Sequence, residues 1–349
     1  MQPRDYFDES ARQFGLAAAS VKTLSESFRI AGHQIRFVFA SVKLRDAYTP
    51  ALAHLRCEEG DKTAPVEMTL HFWEGYDHPA PPPFANGIKP SFRGSTVEHL
   101  CNGEIQTITV PHTGMVVTFD FSGGAGYAWI ADGCAIPAWE LFSPMRTVMN
   151  LWLVNLGCQM IHGGAVALEG QGIIFAGPSG AGKSTTSLLC YDAGFQYLSD
   201  DYCIAEIRSD KPTRLHSLYR SSRMLPSHCD RLNTLVADRD STRTEDGKSS
   251  FYLDLASRNP PGPVTLKALL LPCVTEEEKS RIVPCKDAAK AWRYVAPSTL
   301  AALYGGGAKS FQWITSVIRN TAAFELHLGR DPEDLVLRIR EFLDGEFPV

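Results

Sequence analysis

Short stretches in the first part of the chain alternate between apolar and polar residues. The alternation runs through 28–39 and 66–73, and apolar-rich stretches of similar length follow at 105–110 and 115–121. A period of two places successive side chains on opposite faces of an extended chain, so these stretches predict half-buried β-strands. Residues 1–135 are therefore predicted to form a strand-rich N-terminal domain. Substrate or partner recognition is a candidate role for this domain, which its sequence pattern does not determine.

The segments between these strands carry other signals. Residues 48–55 have the spacing of a short helix, and the Gly123-Gly124 pair predicts a turn. Five prolines between 78 and 90 predict an irregular connector, because proline lacks an N–H donor and restricts the residue before it.

The periodicity changes after Pro137. Apolar residues recur every three or four positions between 139 and 159, which predicts one amphipathic helix. Further along, the strands are predicted at 165–168, 172–176, 195–198, 202–207 and 266–272. Helices are predicted at 183–191 and at the end of the chain, where Asp331 is the N-cap and Pro332 lies in the first turn. Residues 136–349 are therefore predicted to form an α/β domain.

Two connections in this second domain have distinct characters. Glu169-Gly170-Gln171 is short and predicts a tight turn, which makes the strands on either side of it a hairpin. Residues 237–250 are polar and lack periodicity, which is typical of a mobile loop.

Composition and charge limit the classes of function. The chain has 349 residues, of which 44% are hydrophobic and 21% charged, with a net charge of −5. This balance gives no general attraction to nucleic acid or to an anionic membrane. The nine cysteines form no Cys-x-x-Cys pair, and no leader-like apolar segment follows Met1, so we expect a cytoplasmic protein with reduced thiols.

One motif points directly to chemistry. Residues 177–184, Gly-Pro-Ser-Gly-Ala-Gly-Lys-Ser, match the Walker A pattern G-x-x-x-x-G-K-[ST] without a mismatch. Glycines let backbone N–H groups converge on phosphate oxygens, and the following helix directs its positive end to the same place. Lys183 is predicted to contact the outer phosphates and Ser184 to bind Mg²⁺. We expect an ATP site formed by Gly177, Pro178, Ser179, Gly180, Ala181, Gly182, Lys183, Ser184 and Thr185.

An acidic pair follows the motif after one helix and one strand. Asp200 and Asp201 occupy the position at which an acidic residue meets the metal in P-loop enzymes. Neighbours on an extended segment point to opposite sides, so one carboxylate could face Mg²⁺ and the other a substrate hydroxyl. His162 begins the preceding hairpin and could orient one of them, although a lone histidine is often structural. Lys248, Arg220 and Arg223 are candidates for clamping phosphate, although basic loop residues are often only solvated.

These residues resemble a known family. His162-Gly163, the hairpin, the 177–184 loop and Asp200-Asp201 occur in the same order as in the catalytic domain of HPr kinase/phosphorylase, which phosphorylates a serine on a small bacterial carrier protein. The nucleotide core also resembles ATP-dependent phosphoenolpyruvate carboxykinase. The motifs at 218–224, 246–248 and 296–300 resemble a branch of HPr-kinase-related proteins. The resemblance covers about residues 140–330 and implies a P-loop kinase domain with a mixed sheet and flanking helices.

The resemblance also implies roles for individual residues. Asp200 would be the base for the attacking hydroxyl and Asp201 a metal ligand with Ser184, although the two aspartates can be exchanged without contradicting the sequence. His162 would support the base. Thr185 departs from the family, which usually has glutamate there, and a downstream glycine- and asparagine-rich signature is missing. Phosphorolysis and the carrier protein as substrate are therefore not carried over.

The leading hypothesis is an ATP- and Mg²⁺-dependent kinase whose γ-phosphoryl acceptor is a hydroxyl, expected to be a serine of a protein or peptide. A small-molecule kinase is the first alternative. A nucleotide-binding regulator that hydrolyses ATP without phosphorylating an acceptor is the second. No nucleic-acid or membrane partner is expected, and a homo-oligomer is compatible with the resemblance.

Overall fold

The computed structural model describes residues 1–58, 64–75, 95–110, 113–208, 211–224, 242–243, 247–255, 262–303 and 305–345. The proline-rich connector and most of the predicted mobile loop lie outside these ranges. Residue contacts divide the chain into a unit of Met1–Val148 and a unit of Met149–Val349. Within the described ranges, no helix combines the length and the apolar character needed to cross a bilayer.

The first unit is built on a mixed β-sheet, which contains both antiparallel and parallel strand pairs. Its helices are α1 (Pro3–Ala19), α2 (Val42–Tyr48) and α3 (Ala138–Phe142), with 3-10 turns at Pro50–Leu55 and Glu98–Leu100. Its strands are β1 (Leu24–Ile30), β2 (His33–Phe39), β3 (Val66–Glu74), β4 (Ser95–Thr96), β5 (Ile105–Val110), β6 (Met115–Asp120) and β7 (Ala125–Ile130).

These seven strands form one sheet in the order β1-β2-β3-β7-β6-β5-β4. Aromatic rings pack on one another within it, and the ring centroids of Phe39 and Phe72 lie 4.8 Å apart. Phe14 of α1 belongs to a second cluster of buried residues, together with Trp73 and Trp129. Strand β3 has the alternating burial that the period-two pattern predicted, with Met68, Leu70 and Phe72 buried, whereas all six residues of β6 are buried.

The second unit has a larger mixed sheet and flanking helices. Its helices are α4 (Arg146–Asn155), which begins before the division, α5 (Lys183–Asp192), α6 (Ala288–Ala302), α7 (Gly307–Asn320) and α8 (Pro332–Asp344). Its first strands are β8 (Cys158–His162), β9 (Gly164–Leu168), β10 (Gln171–Phe175), β11 (Gln196–Ser199), β12 (Tyr202–Glu206), β13 (Arg214–His216) and β14 (Ser221–Met224). Its later strands are β15 (Thr242–Arg243), β16 (Ser249–Tyr252), β17 (Val264–Val274), β18 (Arg281–Pro284) and β19 (Ala322–Leu328).

The large sheet has nine strands, with β11-β9-β10-β17-β13-β12-β8 in order and β19 pairing with β17 and β18. Its two faces are both buried. Phe175 and Leu270 pack with residues of α5 and α8 on one face, whereas Ile174 and Leu269 pack with residues of α6 and α7 on the other. A continuous apolar run such as 173–176 is what a strand covered on both faces requires.

The single helix predicted over 139–159 is wrong. The chain forms α3 and α4 instead and is already in β8 at Cys158. Pro144 interrupts the helix, because proline disfavours helical geometry in the residue before it and lacks an N–H. Met145 has φ +55°, and its N–H donates to Glu140 Oε1 at 2.8 Å. The apolar spacing was helical, but the backbone could not continue through this point.

Candidate functional site

One edge of the large sheet collects the residues that the sequence marked for chemistry. Strands β10, β17 and β19 run parallel, and β11 shares their direction because β10 and β11 both pair antiparallel with β9. The carboxyl ends of these strands therefore lie at the same edge. In sheet order, β11 lies on one side of β10, and β17 with β19 lies on the other. The 177–184 loop follows β10, and Asp200-Asp201 follows β11.

The 177–184 loop joins β10 to α5 through left-handed backbone at two glycines. The φ angle is +82° at Gly180 and +99° at Gly182, values that glycine adopts with the least strain. Gly182 is also closely packed, since a Cβ there would lie 2.4 Å from Leu328 Cδ1. Gly182 is the N-cap of α5, and the start of a helix carries partial positive charge. Backbone N–H groups and a helix terminus thus meet in an arrangement suited to anions.

Lys183 is held inside this loop. Its Nζ donates to Gly177 O at 2.8 Å and to Pro178 O at 3.0 Å, and the residue is only 9% exposed. Burial lowers the pKa of Lys183, and the nearby carboxylates of Asp201 and Asp200 oppose that change. The ammonium group is thus fixed beside the helix terminus, where it adds a full positive charge.

The two aspartates lie where a pair of strands bends. Gly163 alone separates β8 from β9, and Asp200-Asp201 separates β11 from β12. The Gly163 N–H donates to Asp201 O at 2.9 Å, and Ser199 Oγ donates to Gly163 O at 3.2 Å. Glycine is required at 163 because a Cβ would lie 2.7 Å from Phe175 O. The bend gives the two carboxylates different surroundings.

Asp200 is almost completely buried, with 2% of its surface exposed. Its Oδ2 accepts hydrogen bonds from Ser222 Oγ and from the Arg223 N–H, each at 2.8 Å. Its Oδ1 is buried and has no hydrogen-bond partner in the described part of the chain. Burial, and next the charge of Asp201, raises the pKa of Asp200 to about 6, while the hydroxyl groups of Ser184 and Ser222 oppose the rise. Asp200 therefore has one oxygen without a hydrogen-bond partner among the described residues, and the Ser184 hydroxyl is close enough to act on its carboxyl group.

Asp201 differs from Asp200 in facing a cavity, with 30% of its side chain exposed. Its Oδ1 lies 3.6 Å from His162 Nε2 and its Oδ2 lies 4.0 Å from Arg223 Nη1. The His162 ring packs against Tyr202 with centroids 5.3 Å apart, and the buried Nδ1 has no partner among the described residues. The structure thus brings His162 to Asp201.

Helix α6 supports His162 through a hydrogen bond to its backbone. Thr299 lies in α6, and its Oγ1 accepts from the His162 backbone N–H at 3.0 Å. The same hydroxyl donates to Val295 O at 2.8 Å, so its orientation is fixed at both ends. Pro297 stands inside this helix. The 296–300 segment, noted in the sequence only as a motif, therefore positions the start of the bend.

A cavity of about 520 Å³ opens along the loop. The loop and the start of α5 contribute Ser179, Gly180, Gly182, Lys183, Ser184, Thr185 and Thr186 to its lining. His162, Asp201, Arg223, Lys248 and Arg330 line it as well. Lys183 and three further cations therefore line the cavity, although Arg330 is also paired with Glu276. The excess of positive charge favours a ligand that carries negative charge.

Two of the three basic residues predicted from the sequence line the cavity, and one basic residue that lines it was not predicted. Arg223 and Lys248 line the cavity, but Arg220 does not reach it. Its Nη1 donates to Leu253 O at 3.3 Å, and its guanidinium lies 5.1 Å from the Tyr252 ring centroid. Arg330 was not predicted, because nothing in its local sequence separates it from an ordinary residue before a helix N-cap.

Comparisons with known proteins give a limited result. No family model matches the sequence, and no curated protein matches it. Among solved structures, the HPr(Ser) kinase/phosphatase from Coxiella burnetii is similar to this chain with 13% sequence identity and a TM-score of 0.27. The match covers 54% of this chain and 99% of that one. The structural likeness is distant, so the function of this chain has to be inferred from its own residues.

Proposed function

We propose that this protein is an ATP- and Mg²⁺-dependent kinase that transfers the γ-phosphoryl group to a hydroxyl, that of a serine in a protein or peptide. The main support is that the 177–184 loop, Lys183 and Asp201 face one cation-rich cavity. Backbone N–H groups of the loop and the Lys183 ammonium would bind the phosphates. Arg223 and Lys248 would add positive charge where the transferred group develops negative charge.

The donor set near Ser184 fits Mg²⁺. The buried Asp200 Oδ1 lacks a partner among the described residues, and the Ser184 hydroxyl is close enough to affect the pKa of Asp200. Carboxylate and hydroxyl oxygens are ligands suited to this hard cation. Asp200 and Ser184 would hold the ion, which would neutralise phosphate charge when bound.

Asp201 is then the proposed general base. Its partial exposure to the cavity allows contact with an acceptor hydroxyl, which the burial of Asp200 does not. The imidazole of His162, 3.6 Å away, would orient the carboxylate for proton removal. This is the exchanged form of the leading sequence assignment, in which Asp200 was the base and Asp201 the metal ligand.

The test is phosphoryl transfer from γ-labelled ATP in an extract of cells that contain the protein naturally. We expect Lys183→Ala and Asp201→Asn each to lower labelling by at least about a hundredfold. Lys279→Ala and Asp344→Asn, at exposed positions, are the matched controls and should retain activity. Label in a small filterable product would instead support the small-molecule kinase, and release of phosphate alone would support the regulator. Full labelling by both site variants would contradict the proposal.

A further inference from the structure

One side of the cavity is largely apolar. Val274, Leu328, Leu335, Leu189 and Pro332 line it there, and Arg330, whose guanidinium is paired with Glu276, lines it between Leu328 and Pro332 in the chain. Leu328 and Leu335 belong to the buried core between the sheet and α8, whereas Val274 is 64% exposed at the rim. Val274 and Leu328 are register partners on the parallel strands β17 and β19, so their side chains stand next to each other on one face.

This apolar side has a fixed place relative to the 177–184 loop. Strands β17 and β19 lie on one side of β10, and β11, which leads to the aspartates, lies on the other. Gly182 in the loop packs directly against Leu328. The loop therefore separates the carboxylate side of the cavity from the apolar side.

We propose that the apolar side formed by Val274, Leu328 and Leu335 is the subsite for the base of a nucleoside triphosphate. The inference rests on the proposed kinase function. A nucleoside triphosphate is a linear molecule with the reactive phosphoryl group at one end and the base at the other. If the γ-phosphoryl faces Asp201, the base falls across the loop, on the apolar side.

The chemistry of the surface agrees with this occupant. The faces of a planar heterocycle are apolar and gain free energy when they leave water for aliphatic side chains. An acceptor hydroxyl would be misplaced there, because it has to reach Asp201 on the other side of the loop. The exposure of Val274 also leaves an apolar surface at the rim that a base would cover.

The first experiment compares magnesium–ATP with magnesium–tripolyphosphate, which lacks sugar and base, by calorimetry on the full chain. We expect Val274→Ser to raise the Kd for ATP about fivefold and to leave that for tripolyphosphate unchanged. Val42→Ser is the matched control, since Val42 is 57% exposed in the first unit, and it should change neither Kd. Lys183→Ala should raise the Kd for both ligands.

The outcomes separate this inference from the proposed function. If the unaltered protein binds neither ligand, the kinase proposal fails and the subsite fails with it. If it binds both, and Val274→Ser changes both equally or neither, the base subsite is overturned while the triphosphate site remains.

A second measurement locates the base without a substitution. Photolysis of bound 8-azido-ATP attaches the purine covalently to neighbouring residues, which mass spectrometry of the peptides identifies. Labelling within 270–280 or 324–336 supports the subsite. Labelling confined to 199–224 or 247–255 overturns it.

Discussion

At the scale of single residues, burial gives two identical side chains at this site different surroundings. Asp200 and Asp201 are neighbours, yet Asp200 is buried against Ser222 whereas Asp201 faces the cavity. Burial disfavours the charged form, so the pKa of Asp200 is raised to about 6. The extended-chain argument anticipated opposite orientations, but which carboxylate faced the cavity depended on the bend at Gly163. The assignment of either to metal or proton remains a prediction.

The first residue-scale prediction concerns Gly182→Ala. The φ angle of +99° strains any L side chain, and the added Cβ would lie 2.4 Å from Leu328 Cδ1. We expect a loss of about 2 kcal/mol or more in the free energy of unfolding, and loss of ATP binding in calorimetry. Gly194→Ala is the control, since its φ is +91° but no atom lies within 4 Å of the new Cβ. Equal ATP affinity in both variants would contradict the role of the loop.

The second residue-scale prediction concerns Asp200→Asn. The folded pKa of about 6 exceeds the usual 3.8, so the unfolding free energy falls as the pH rises from about 4 through about 6, where the unfolded state ionises more readily. The neutral amide should therefore stabilise the protein at pH 8 by about 2 kcal/mol, with no gain at pH 4. Transfer activity should be lost at the same time. Denaturant unfolding at the two pH values is the measurement, and a destabilised variant at pH 8 would oppose this account.

At the scale of elements, the site depends on the bend at Gly163 and Asp200-Asp201. On one side of this bend β8 pairs with β12, and on the other side β9 pairs with β11. The bend puts His162 beside Asp201, and the parallel strands bring the loop to the same edge. Local sequence predicted β10, α5 and the Glu169-Gly170 turn well, because alternation, caps and turn residues are local signals. The register that joins β8 to β12 pairs residues such as Tyr202 and His162, and no local signal contains it.

The element-scale prediction concerns Thr299→Val, which removes the acceptor for the His162 N–H. We expect transfer to fall about tenfold with little change in ATP affinity, and stability to fall by about 1 kcal/mol. Thr315→Val in α7 is the control, because Thr315 also donates to the carbonyl four residues earlier but is only partly buried, whereas Thr299 is fully buried. Steady-state kinetics that separates kcat from KM is the measurement. Equal kinetics in both variants would mean that Thr299 has no positioning role.

At the scale of the whole molecule, we expect a buried carboxyl group outside the candidate site to make the free energy of unfolding depend on pH. Glu140 in the first unit is 1% exposed, and burial raises its pKa to about 7 from 4.5. The Met145 N–H and the charge of Arg146 oppose the rise. A carboxyl whose folded pKa is raised stabilises the fold below its unfolded pKa, and this contribution is lost as pH rises through the folded value.

The whole-molecule prediction is therefore a pH dependence of the first unit. Between about pH 4.5 and 7 the unfolding free energy should fall by about 3 kcal/mol because of Glu140, and Glu140→Gln should remove most of that fall. Hydrogen exchange of peptides from 138–148 at pH 5 and pH 8, corrected for intrinsic rates, is the measurement. Glu104→Gln, at an exposed site, is the control. An unchanged pH dependence in Glu140→Gln would contradict the prediction.

By itself, the sequence determined the strands at 66–73, 105–110 and 115–120, the strand–loop–helix at 171–192 and the N-cap at Asp331, because each is encoded in neighbouring residues. It did not show that 28–39 is divided by a turn between β1 and β2, and it did not predict β7. It also contained α1, whose buried positions Tyr6, Ser10, Phe14 and Ala17 have helical spacing, although that helix was not predicted. Only the tertiary structure decided that Asp201 faces the cavity, that Arg330 joins it and that Thr299 supports His162. Those relations depend on strand order and on packing between residues far apart in the chain, which periodicity cannot encode.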